Sequence, residues 1–327
     1  MEKAPLISII TPTYNREDLL TNAILSVINQ KKDISFTREM LIIDDGSTDK
    51  TKNLVQKYIK KYPKNIQYFY QENSWIPGNA RNIWLDNMNK NSDYVIFLDS
   101  DDELKSDVIY TCLKKMEELK KRNIEEKILW FYFLCEDENH NIVWNKKILK
   151  WQKEIFFDYT SFLKGEINVE MGIWLKSNIF LNDPQLRFAK NIISEEVMWS
   201  QMWQYMYKNW FKLLLRDYVG RFYRLQHTSE IRICKNISPK RFKNNAEGNK
   251  EVLKLIEKDL QKFWYKKIYA DYLFKIGINY VLCWERAIWL QYIKKSVKNY
   301  FNPIVFCIYI ISIISRKLVL FIYKMYV

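Results

Sequence analysis

The chain has 327 residues, 48% of them hydrophobic and 28% charged, a balance that supports a sizeable buried core and excludes wholesale disorder. Its five cysteines (Cys112, Cys135, Cys234, Cys283, Cys307) are scattered with no Cys-x-x-Cys pair, which argues against a disulfide framework or a zinc site and for reduced thiols in the cytoplasm. The net charge of +14 is concentrated at one end: residues 232–327 hold 19 Lys/Arg against 6 Asp/Glu, and residues 1–231 hold 33 against 32.

Met1-Glu2-Lys3-Ala4-Pro5 leads straight into an apolar run without the hydrophobic stretch of a secretory leader, so no signal peptide is expected. Leu6 to Ile10 reads as a buried strand, and Leu20, Ile24, Val27 and Ile28 give helical spacing over Glu17 to Gln30. Met40 to Ile43 is a second strand, ending at Asp44-Asp45-Gly46. Ser47 or Asp49 can cap the helix that carries Leu54, Val55, Tyr58 and Ile59. A third strand, Ile66 to Tyr70, and a third helix, Ala80 to Met88, precede a fourth strand, Tyr94 to Leu98. Apolar strands alternating with helices predict a parallel sheet covered on both faces. The polar segments Thr11 to Asn15, Asp44 to Ser47 and Asp99 to Asp102 then share the rim at the carboxyl ends of the strands, where such sheets bind ligands.

Beyond residue 105 the pattern loosens. Val108 to Leu119 reads as a helix, Ile128 to Cys135 as a buried aromatic strand, and Ser194 to Tyr207 as a strongly apolar helix. A basic, aromatic helical series begins near Ile231. Its last segment is apolar for 12 residues, Ile304 to Ser315, before Arg316-Lys317 interrupts it. A spanning helix needs about 20 apolar residues. A shallow helix at the membrane surface fits this pattern, and a helix docked in a soluble core is the plainer alternative. The expected division is 1–105, 106–230 as the second half of the same domain, and 231–327 as the basic region.

Three carboxylates within four positions, Asp99, Asp101 and Asp102, repel one another unless positive charge lies among them. A divalent cation carrying a phosphorylated ligand would supply it. Asp102 has a second reading, as the negative start of the following helix.

Four segments, Ile9 to Arg16, Ile42 to Asp49, Ala80-Arg81-Asn82 and Phe97 to Asp102, resemble in order and spacing the inverting glycosyltransferases of family 2. The likeness is strong over residues 5–105 and traceable to about 230. It implies a GT-A fold: an α/β, Rossmann-like, mostly parallel sheet flanked by helices. It also implies a nucleotide-sugar donor and a lipid-linked oligosaccharide or polysaccharide acceptor, with work at the cytoplasmic face of the inner membrane. By the same resemblance, Pro12, Tyr14 and Asp45 line the nucleobase, with a plain turn that starts a helix as the alternative for Asp44-Asp45-Gly46. Arg81 faces the phosphates, with a solvated helix-surface arginine as its alternative. Asp99 and Ser100 accompany the donor, while Asp101, with Asp99, holds Mn2+ or Mg2+. His227 stands where some members place a further metal ligand, and a structural histidine is its plainer reading. The family often has glycine where this chain has Trp84, which implies different helix packing there.

The resemblance also implies an acidic pair opening a helix in the second half, matched by Glu195-Glu196. Met198, Trp199, Met202 and Trp203 follow Glu195 at helical spacing, which puts Glu195 ahead of Glu196 as the general base. Glu170, Trp174 and the aromatics after residue 195 are candidate acceptor contacts, with core packing the safer reading for most of them. His140, in a polar run, reads as a surface turn.

Two other classes fit parts of the sequence. A basic tail with interleaved Tyr and Trp suits nucleic acid, but beside an apolar terminal helix it suits an anionic membrane surface at least as well; no nucleic acid is expected. A sugar nucleotidyltransferase needs a glycine-rich loop after the first strand, and Thr11 to Arg16 has no glycine. A dinucleotide oxidoreductase lacks its Gly-x-Gly-x-x-Gly.

Overall fold

The computed structural model describes residues 3–74, 77–143, 152–167, 171–190, 195–224, 238–315 and 317–321. In chain order the elements are β1 Leu6–Thr13, α1 Leu20–Ile28, β2 Thr37–Asp45, α2 Thr51–Lys61, β3 Ile66–Gln71, α3 Pro77–Asn87, β4 Tyr94–Phe97, β5 Glu103–Leu104 and α4 Val108–Lys121. There follow β6 Ile128–Glu136, β7 Glu154–Phe157, α5 Tyr159–Leu163, β8 Met171–Lys176, α6 Asn178–Asn182, α7 Glu196–Lys208 and β9 Lys212–Phe222. The chain closes with α8 Pro239–Lys262, α9 Lys266–Leu282, α10 Arg286–Asn299 and α11 Pro303–Ile314. The chain divides into two compact units. The first is Met1–Phe188 with Trp203–Thr228, and the second is Ala189–Met202 with Ser229–Val327.

The sheet of the first unit runs β3-β2-β1-β4-β8-β6-β9-β5, with β7 also on β9. β1, β2, β3 and β4 pair in parallel, as the alternation of apolar strands with helices predicts. β8 then enters antiparallel between β4 and β6, and β9 lies parallel to β6. The architecture is therefore a mixed, mostly parallel α/β sheet. β1, β2, β4, β6 and β9 all end at one rim.

The β6–β9 ladder is irregular. Phe133 pairs with Arg216, yet Glu136 pairs with Phe222, so β9 advances six residues while β6 advances three. Such bulges bend a strand and re-aim its side chains. Gly172 on β8 and Gly220 on β9 lie under the Phe133 ring, which occupies the space a Cβ would need at either position.

One face of the sheet buries Ile7, Ile9, Met40, Ile42 and Ile96 with Leu20, Ile24 and Val27 of α1 and Val108, Ile109 and Cys112 of α4. Trp84 fills the position noted for its size. It is fully buried, edge-on to Phe97 (centroids 5.7 Å apart) and to Phe180 (5.3 Å). Trp174 is 1% exposed and stacks on Phe131 with its plane tilted by only 2°. It is therefore core, the safer of its two expected places.

In the second unit α8, α9 and α10 pack in sequence. Ser296 donates to Ala270 O (2.7 Å), and Gly277 lets α9 approach Ile293 of α10 more closely than a side chain would allow. Tyr280 donates to Glu247 at one end (2.5 Å), and Tyr269 donates to Glu257 at the other (2.7 Å), where Lys295 of α10 also sits 3.8 Å from Glu257. Those contacts gather the start of α9 and the ends of α8 and α10.

Helices α7, α8 and α9 each finish with the paired hydrogen bonds of a Schellman turn. The left-handed residue in each is a tryptophan: Trp210 (φ 62°), Trp264 (φ 62°) and Trp284 (φ 71°). Glycine is the usual occupant of that slot, and any other residue pays roughly 1–2 kcal/mol there. All three rings are exposed, by 86%, 78% and 70% respectively.

Candidate active site

The register of the parallel strands brings the rim loops together. Thr13 of β1 pairs with Asp44 of β2, and Asp44 pairs with Tyr70 of β3. Polar side chains then bind one loop to the next. Asn15 N–H donates to Ser47 Oγ (2.9 Å), and Asn15 Oδ1 accepts from Thr48 N–H (2.8 Å). Arg16 N–H donates to Thr51 Oγ1 (2.9 Å), while Lys50 N–H donates to Glu17 Oε2 (2.7 Å). Asn15 adopts φ 49° within this lattice, a region that Asn tolerates better than most residues.

The two aspartates that end β2 have different jobs. Asp44 is fully buried and accepts from Tyr68 Oη (2.6 Å) and Ser47 N–H (2.8 Å), so it fastens the turn. Burial and the Asp44 carboxylate together push the Tyr68 phenol far above its ordinary range. Asp45 is half-buried, and its Oδ1 takes the side chain of Gln71 and both the N–H and hydroxyl of Ser74 (3.1 Å each). None of these bonds uses Oδ2. Gly46 turns the chain at φ 82°, and an added Cβ would lie 2.6 Å from Asn73 N. Only glycine meets both conditions. Pro12 and Tyr14 sit half-buried beside this turn, at the end of β1.

Beyond β4 the acidic cluster finds three arginines. Arg81 of α3, nearly buried, holds Asp99 Oδ1 at 3.2 Å and lies over the Phe188 ring; it is not a solvated helix-surface arginine. Arg16 Nη2 is 4.0 Å from Asp101 Oδ2, at the outer edge of ion-pair range. Arg221 Nε is 3.4 Å from Asp102 Oδ2 but directs its hydrogen to Cys135 Sγ at 3.2 Å, so that pair is electrostatic rather than hydrogen-bonded. Asp102 Oδ1 accepts from Arg224 N–H (3.2 Å), and Arg224 also pairs with Glu103 (2.6 Å). Burial drives the Asp102 carboxyl well above the usual carboxylate range, with Asp99 and Asp101 adding to the rise and Arg221 opposing it.

The cluster is thus matched carboxylate for guanidinium, and its mutual repulsion does not by itself require a metal. Asp102 is tied into β9 and does not simply begin a helix. Ser100 is buried, and Asp99 and Asp101 keep 44% and 24% of their side chains accessible. Among the described residues no group of three His, Cys, Asp or Glu converges as a ligand set. His227 and Glu170 lie outside the described residues. His140 sits in an exposed turn at φ 58°, its Nδ1 3.2 Å from Glu136 Oε1.

The acidic pair opens α7, in the second unit. Glu195 is half-buried and Glu196 exposed, while Met198, Met202 and Trp203 along the Glu195 stripe are buried. Tyr272 of α9 has its phenol raised by burial first and by the charge of Glu196 second. Sequence reading gave no role to Arg16, Arg221 or Arg224. Arg16 stood inside a recognised segment. Arg221 and Arg224 lie some 120 residues from their carboxylates, and no local pattern announces that pairing.

Residues 8–168 match the model of Glycosyl transferase family 2. An uncharacterised glycosyltransferase of Haemophilus influenzae is 36% identical over 161 residues, 49% of this chain and 58% of that protein. The GalNAc(5)-diNAcBac-PP-undecaprenol beta-1,3-glucosyltransferase of Campylobacter jejuni is 40% identical over 116 residues, 35% of each protein. The chain thus spans between about a third and three fifths of these curated relatives. Among solved structures, S. aureus TarS 1-349 in complex with UDP-GlcNAc superposes with a TM-score of 0.65 at 16% identity, covering 94% of this chain and 86% of that one. The fold is therefore GT-A-like over nearly the whole chain.

Proposed function

We propose that this chain transfers a hexose or N-acetylhexosamine from a nucleotide sugar to a hydroxyl of a lipid-linked or surface glycan, with inversion, by a single displacement. The observation that carries the reading is one rim that gathers Tyr14, Asp45, Arg81, Asp99 and Asp101 inside a family 2 domain. The UDP-GlcNAc bound by the S. aureus structure makes a UDP-linked sugar the first donor to test, and the C. jejuni relative supports a lipid-linked acceptor.

In this mechanism Asp45 Oδ2 accepts a nucleobase N–H while Gln71 and Ser74 hold the carboxylate still. Arg81, already positioned by Asp99 and Phe188, gives its guanidinium to the diphosphate. The rim suits a hard cation, because its partly exposed donors are carboxylate oxygens. One or two of them, from Asp101 and Asp99, suffice when phosphate and water complete the shell. Bound Mn2+ or Mg2+ would neutralise charge on the departing diphosphate. Glu195 takes the acceptor proton as the hydroxyl oxygen attacks the anomeric carbon.

The decisive test is Asp101→Asn, measured by titration calorimetry with UDP-sugars and Mn2+ and by turnover. The expected result is loss of metal-dependent donor binding and a fall in turnover of about 10³-fold, with the melting temperature unchanged. Normal metal-dependent binding in that variant would remove the metal role.

A further inference from the structure

The exposed tryptophans and the apolar last helix of the second unit are unused by the proposed chemistry. At the end where α8 and α10 finish and α9 begins, Trp264 is 78% exposed and Phe301 62%. Around them stand Lys262, Lys266, Lys267 and Lys298, all exposed. From residue 260 to 321 the sequence has ten Lys/Arg and only Asp271 and Glu285 as acids. α11 leads away from this corner. It packs inward through Val305 and through Tyr309, whose ring meets Trp289 at 6.2 Å. Outward it presents Phe306, Ile310 and Ile313, each at least 40% exposed and spaced as one helical stripe.

We propose that this corner and the outer stripe of α11 form a docking surface for an anionic lipid bilayer. The stripe would lie in the headgroup region with Trp264 and Phe301 at the water boundary. The charge pattern commits the surface to lipid. Exposed lysines ringing an apolar patch complement anionic headgroups, and they repel the same patch on a second copy. Trp and Tyr favour the membrane interface, where an apolar ring body and a polar edge are both accommodated. α11 is about 18 Å long at the helical rise, far short of a span, and among the described residues no helix is long and apolar enough to cross a membrane. It can therefore lie on the bilayer and not through it. Trp264 carries the strongest hint. A bulky residue kept in a left-handed slot with its ring in solvent contributes nothing to the helix turn that glycine would not do better.

The inference depends on the second unit alone and stands whether or not the donor reading does. The test is co-sedimentation of the full chain with vesicles of phosphatidylglycerol and phosphatidylcholine in equal parts, against phosphatidylcholine alone. The chain is expected to pellet with the anionic vesicles and to be released by salt. Phe306→Ser with Ile310→Ser should lower the partition more than about tenfold. Trp264→Gly should weaken it several-fold while the melting temperature holds or rises, an outcome that a merely structural tryptophan would not give. Failure to bind anionic vesicles, or binding unchanged in these variants, would overturn the proposal. So would a lipid-free dimer that the same substitutions dissociate, or salt-sensitive retention on single-stranded RNA in place of vesicles.

Discussion

The two compact units treat charge in opposite ways. In the first, charged and polar groups at the rim are turned on one another: Arg16 to Asp101, Arg81 to Asp99, Arg221 to Asp102, Asn15 to Ser47 and Thr48. In the second, Glu247 and Glu257 each receive a tyrosine hydroxyl and a lysine, and exposed lysines outnumber the acids. A rim whose loops are fixed to each other is suited to hold a small polar ligand in one pose. A surface of unspent positive charge is suited to something large and negative whose details do not matter.

The sharpest way to break this contrast is at Glu195. Glu195→Gln should leave donor affinity in the first unit intact and reduce turnover by ~10²-fold or more, measured by calorimetry and by initial rates. Glu196→Gln should stay near the parent. Were Glu196→Gln the crippled variant, the stripe argument built on Met198, Met202 and Trp203 would be wrong.

The second largest effect belongs to the rim itself. Gly46 combines a positive φ with a close backbone neighbour, whereas Gly165 has a positive φ (67°) and nothing within 4 Å. Gly165→Ala therefore measures backbone strain alone, on the order of 1–3 kcal/mol. Gly46→Ala should lower the urea midpoint further and raise the donor KM, because Asn73 must move away from the Asp45 turn. Equal losses in the two variants would show that the turn has room to spare.

The smallest effect tests the second unit. Burial alone would raise the Glu247 carboxyl, but the Tyr280 hydroxyl and Lys250 outweigh it and hold it below the usual carboxylate range. A depressed folded value means stabilisation present above the unfolded value of about 4.3 and lost as pH falls through the folded one. Glu247→Gln should thus melt slightly lower at neutral pH and lose less on acidification than the parent. A parallel shift at all pH values would indicate lost packing and not lost charge.

The contrast also marks how far sequence reading reaches. β1 to β4 were legible because each is an apolar run that closes on a polar segment, and parallel order follows from the intervening helices. Their rim was legible for the same reason. The insertion of antiparallel β8 between β4 and β6 was not, and neither were two-residue β5 or the short β7. Those pairings join segments far apart in the chain, with no local pattern to announce them. Trp174 shows a second limit. Residue type cannot tell a ring that stacks on sugar from one that stacks on Phe131. The acidic cluster shows a third. Its carboxylates were plain, but the guanidinium groups that accompany them come from the loop after β1, from α3 and from β9, and only folding assembles them.

The irregular β6–β9 ladder bears on that assembly. If Arg216 opposite Phe133 had been followed by an even ladder, Val219 would stand opposite Glu136, where Phe222 now stands. Arg221 and Arg224 would then overshoot, and Tyr218 would stand opposite Cys135 in the place of the guanidinium that now accompanies buried Asp102. Three surplus residues in one strand therefore decide whether buried Asp102 has a guanidinium beside it. A deletion there would spare every carboxylate and arginine of the cluster and still disconnect the sheet from its chemistry.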